Sequence, residues 1–87
     1  MAKATKKQAR DVYGKFFYTL HHLNGGTVDE NLVQAKACYE SLQIHAKEAA
    51  EIVANPNKRL SEDEWLMEAL QVNIPFRMEA FRFRYGF

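Results

Sequence analysis

Three histidines, one cysteine and one run of acids are the side chains in this sequence that could assemble a chemical site. His21 and His22 are adjacent, so on a helix they project about 100° apart and cannot grip one ion together. His45 is followed by Glu48 three residues on. That is neither the His-Glu-x-x-His metal signature nor the Glu-x-x-His pair of metal-binding helical bundles. No metal site is expected. Cys38 and His45 lie seven residues apart, two helical turns or ~10.5 Å of rise, too far for a nucleophile and its base to share a hydrogen bond. Cys38 is expected to be a small buried hydrophobe.

The acids Glu62, Asp63 and Glu64 could hold a cation or supply catalytic carboxylates. At a helix start they also complement the positive end of the helix dipole, and that reading is preferred. A calcium loop would need acids at alternate positions around a central glycine, which these residues do not supply. Gly25-Gly26 has no phosphate-binding motif around it. With no convergent nucleophile, base or oxyanion donor, neither a catalytic reaction nor a cofactor is expected.

The elements that must carry these residues all read as helices. Tyr13, Phe16, Phe17, Leu20 and Leu23 recur at three- and four-residue spacing and predict a first helix over residues 6–23. Asn24-Gly25-Gly26 should end it, because Asn and Gly accept the left-handed conformation of a helix cap. Gly14 interrupts this helix and could admit a close neighbour. Thr27, with Glu30 three residues later, forms a capping box for the second helix. Val28, Leu32, Ala35, Tyr39, Leu42, Ala46, Ala49 and Val53 then step by alternating fours and threes, a heptad seam that Cys38, Ile44 and Ile52 broaden. Asn55-Pro56-Asn57 closes this helix at roughly 40 Å of length.

A third helix should begin with Ser61 as cap, Glu62 and Asp63 in its first turn, and Trp65, Leu66, Ala69 and Leu70 as its apolar face. Pro75 should kink that helix or start a new one. Residues 76–87 alternate like a strand over Phe81 to Tyr85, but no partner strand is in sight, so a short helix ending near Gly86 is preferred. The fold expected is all-α: one domain over residues 1–87 with residues 1–5 frayed. An antiparallel hairpin containing one long helix forms a three-helix bundle, completed by a short Pro-linked helix or tail.

Composition agrees with a folded protein, at 47% hydrophobic and 13% aromatic. One cysteine excludes an internal disulfide framework and suits a reducing compartment, most simply the cytosol. The polar, basic first residues do not read as a secretory signal, and no stretch nears the ~20 apolar residues of a membrane span. Net charge is +1, with basic ends and nine of the eleven acids between residues 27 and 68. These blocks could pair across the bundle or mark contact surfaces.

Binding therefore remains as the function class. The C-terminal run mixes five aromatics with Arg77, Arg82, Arg84 and Met78, residue types enriched at interface hot spots. Arg77, Phe81, Arg82, Arg84 and Tyr85 are expected to contact a larger protein, supported by Lys6, Lys7 and Arg10 of the first helix. The competing expectation is that this tail folds back over the bundle, its arginines pairing the acidic middle. The reading preferred is a non-enzymatic regulator, inhibitor or adaptor, of the sort also found among phage- and plasmid-borne proteins. The alternative is a nucleic-acid-binding accessory protein using the Lys/Arg ends and aromatic tail, which the near-neutral charge disfavours. The heptad seam could serve a homodimer, although an internal core is preferred.

Overall fold

Side-chain oxygens that accept backbone N–H groups set four helix starts. The computed structural model describes residues 2–22 and 27–87, and its elements are α1 (Lys6–Leu20), α2 (Val28–Ala54), α3 (Lys58–Ser61), α4 (Glu64–Glu68), a π-helical turn (Ala69–Asn73) and α5 (Ile74–Tyr85). Thr27 and Glu30 form the predicted capping box of α2. Thr5 and Gln8 form another at the start of α1. The Asn57 and Asp63 carboxamide and carboxylate oxygens accept from Leu60 N and Leu66 N at 2.7 and 3.0 Å, capping α3 and α4. Each such cap satisfies a donor that has no partner inside its helix.

The cap of α4 corrects an expectation. Ser61 is the last residue of α3, its hydroxyl donating to Lys58 O, and Asp63 rather than Ser61 opens the next helix. The Asn24-Gly25-Gly26 stop and Leu23 lie outside the described residues. Residues 4 and 5 are held rather than frayed: Ala4 N donates to Asn55 O at 2.9 Å, Asn57 N donates to Ala4 O at 2.7 Å, and Thr5 caps α1. That pairing of Ala4 with the segment through Pro56 sets the start of α1 beside the end of α2, so the two helices are antiparallel.

From Glu64 to Tyr85 the chain is helical without a break, with Glu68, Ala69, Asn73 and Ile74 all in right-handed helical conformation. Pro75 can neither donate to the turn before it nor fit its ring under a normal i−4 carbonyl. The π turn immediately precedes it, and Ile74 N there donates to Ala69 O, five residues back. The helix thus passes Pro75 by widening one turn rather than by ending. Gly86, at φ 75°, closes α5 in the left-handed conformation that glycine adopts without strain.

The three long segments pack as a bundle whose largest fully buried side chains are Phe16, Leu42, Leu60, Leu66 and Ile74. Ala35, Leu42 and Ala49 of the heptad seam are buried, with Tyr39, Ala46 and Val53 packed half-buried against them. The seam is therefore internal core along most of its length, while Val28, Leu32 and Ile44 are exposed. The molecule measures 44 × 21 × 19 Å, its long dimension matching the 27 residues of α2. No helix among the described residues is long and apolar enough to cross a membrane.

Candidate functional site

The α4–π–α5 segment carries buried and exposed apolar residues on opposite sides. Leu66, Leu70, Ile74, Phe81 and Tyr85 face the core. Trp65, Val72, Phe76 and Phe83 face outward, with Trp65 68%, Phe76 73% and Phe83 92% exposed. Trp65, Val72 and Phe76 line one groove of about 370 Å³ together with Tyr13 and Arg77. Phe76, Ala80 and Phe83 line a second groove of about 710 Å³. Phe76 belongs to both, so the stripe is continuous for roughly 27 Å along the helix.

This stripe is anchored rather than loose. The Trp65 indole meets the Tyr13 ring edge-on at 5.8 Å, and Tyr13 meets Phe17 at 5.3 Å in the same fashion. The Arg77 guanidinium lies 5.2 Å over the Phe17 ring, while its Nε donates to Asn73 Oδ1 at 3.2 Å. The π turn contributes Ala69, Val72 and Asn73 to the first groove. Such turns recur at functional sites because the inserted residue re-aims the side chains that follow it.

The residues expected to make contacts separate into distinct roles. Phe81 and Tyr85 are only 7% and 8% exposed. Phe81 stacks on Tyr39 of α2 at 6.1 Å, and Phe87 joins both from the chain end. Phe81 and Tyr85 pack into this core cluster and leave only a small edge at the surface. Arg82 pairs with Glu79 one turn away. Arg84 lies 5.6 Å over the Tyr85 ring. The tail therefore does fold back through its aromatics, but among the described residues none of its three arginines pairs with the acidic middle. Lys6 does, pairing with Asp63 at 3.0 Å, while Lys7 and Arg10 are exposed on α1.

Trp65 and Phe76 are apolar residues of the expected helices, but Trp65 lies on the exposed side rather than on the buried face. Gly14 admits no neighbour, since a Cβ built there meets nothing within 4 Å. Cys38 is buried, and desolvation pushes its thiol above the ordinary value. Asp63 is held below the ordinary carboxyl range, first by the Leu66 N–H it accepts and then by Lys6. Nδ1 of His45 is buried without a hydrogen-bond partner among the described residues. No three His, Cys, Asp or Glu side chains among the described residues converge as a metal-binding group would.

No protein-family model, curated protein or solved structure matches this chain.

The site must then be read from its own geometry. It is a grooved, aromatic, partly preorganised helix face, bordered by Arg77 on one side and by the Glu79–Arg82 pair on the other. Exposed aromatics on a rigid helix supply large contact area at small entropic cost on binding.

Proposed function

We propose that this protein is a non-enzymatic binding module of the cytosol that docks on a larger protein through the Trp65–Val72–Phe76–Phe83 face. One observation carries this reading: three large aromatics stand mostly exposed in line on a helix whose opposite side is fully used by the core. Soluble chains rarely leave a contiguous apolar stripe uncovered unless it binds something. Aromatic and arginine side chains are also the types that dominate binding energy at protein interfaces. The single, buried cysteine suits a reducing compartment. A regulator, inhibitor or adaptor would need no more than this surface.

The face is compatible with an apolar, helical partner segment laid along it, anchored at the two grooves. Phe76→Ser with Phe83→Ser tests the reading, because neither residue supports the core. The double variant should keep its helical circular dichroism and lose capture of the partner that the wild-type chain retains from its host's lysate. Undiminished capture would remove this face from the account. A gel-shift series across salt concentrations separates the nucleic-acid alternative, whose affinity would fall steeply with salt.

A further inference from the structure

Beside the aromatic face, α5 and the end of α1 enclose a smaller cleft of about 230 Å³ with a different chemistry. Its polar lining is His21, Arg77, Arg84 and Tyr85, over a floor that includes Leu20 and Phe81. Among the described residues, every ionisable group there other than the tyrosine is a potential cation, and no carboxylate lines it. Arg77 and Arg84 are seven residues apart on α5, two turns, so both side chains rise from the same side of the helix. His21 reaches the cleft from the C-terminal cap of α1.

The two guanidiniums are positioned but not neutralised. Arg77 is held by Asn73 and the Phe17 ring, and Arg84 by the Tyr85 ring. The ion pairs of the described residues are Lys6 with Asp63 and Arg82 with Glu79, and neither includes Arg77 or Arg84. Arg82 makes the contrast: on the same helix, it spends its charge on a neighbour one turn away. A guanidinium held at a ring face keeps its planar fork oriented with N–H groups left over, the arrangement that receives an oxyanion in two parallel hydrogen bonds. His21 can add a ring N–H in either protonation state.

We infer that the His21–Arg77–Arg84 cleft is a binding site for a single oxyanion group, a carboxylate or a phosphate. At about 230 Å³ the cleft has room for a small anionic group. The site stands independently of protein docking on the aromatic face, although Arg77 borders both and would let one partner engage the two together.

The test is an NMR titration of the full chain at constant ionic strength, with sodium phosphate and sodium acetate in separate arms and sodium chloride as reference. The Nε–Hε signals of Arg77 and Arg84 and the ring signals of His21 should move together and saturate, while the Arg82 signal stays at its chloride position. Saturation at lower concentration in one arm assigns the preferred anion, phosphate or carboxylate. Arg77→Gln and Arg84→Gln should each weaken the response about tenfold, and Arg82→Gln should leave it unchanged. Non-saturating shifts equal to those in chloride, or shifts as large at Arg82, would overturn the assignment. Because the probes are small ions, that outcome would leave the aromatic face untouched.

Discussion

The ring of Phe81 on α5 lies within 5° of parallel to that of Tyr39 at the middle of α2, their centroids 6.1 Å apart. Two residues further on, Phe83 is 92% exposed and faces the opposite way. One short sequence therefore supplies both a core contact and a surface contact, and the two differ sharply in what their removal costs.

Phe81→Ala should lower unfolding free energy by about 3–5 kcal/mol, the range for deleting a buried aromatic. Phe83→Ala should change it by less than about 0.5 kcal/mol. Urea denaturation of the two variants beside wild type checks the pair. If the Phe81 variant proves unfolded at the outset, Phe81→Leu should retain the fold with a smaller loss. Equal effects at the two positions would contradict the division of this helix into a core side and a free side.

Gly14 sits within α1 with open space where a side chain would go. Gly14→Ala should stabilise the protein by about 0.5–1 kcal/mol, because alanine loses less backbone entropy on entering a helix. Thermal unfolding followed by circular dichroism would show a raised Tm. A lowered Tm would contradict the open space found at this position.

Asp63 ties two segments together, capping α4 through Leu66 N and pairing with Lys6 of α1. Its folded pKa is depressed, by the Leu66 N–H first and Lys6 second. The stability it adds is therefore present above the ordinary aspartate pKa and lost as pH falls through the depressed folded value. Asp63→Asn should flatten that acid limb of a Tm-against-pH curve relative to wild type. Lys6→Met should remove less of it, since the cap remains. Superimposable acid limbs for wild type and Asp63→Asn would refute the linkage.

Cys38 is buried in the core cluster and its thiol is pushed up by desolvation. Alkylation by iodoacetamide should be roughly tenfold or more slower in the native protein than in the unfolded chain at the same pH, because the thiolate is the reacting form and access is blocked. Mass spectrometry of timed samples reads both rates. Comparable rates would place Cys38 at the surface.

Much of this fold is visible in the residues themselves. Thr27 with Glu30 and Pro56 bound α2, and the alternating fours and threes of its seam locate Ala35, Leu42 and Ala49 in the core. The third segment is harder to read for a physical reason. A helical phase counted at 100° per residue assumes a uniform turn, and the π turn inserts one extra residue between Trp65 and Phe76. Residues before and after it cannot be assigned to faces by one count. Trp65 reads as core because it sits beside Leu66 and one turn before Ala69, and Phe81 and Tyr85 read as free because an Arg/aromatic run is the composition of an interface. Phe81 also depends on Tyr39, about forty residues away, and no local pattern announces a contact at that distance. The capping box at Thr5 was readable from Thr-x-x-Gln but is obscured by the basic residues around it.

The aromatic face carries the proposed docking, and Trp65, the sole tryptophan, reports on it directly. The decisive measurement is capture of the native partner by wild type and by Phe76→Ser/Phe83→Ser, with Trp65 emission recorded on the purified complex. Wild type should capture a partner and shift its solvent-exposed emission to shorter wavelength, while the double variant keeps its helical content and Tm but loses capture. A correctly folded double variant that still captures the partner, or a complex in which Trp65 emission is unmoved, would contradict the claim.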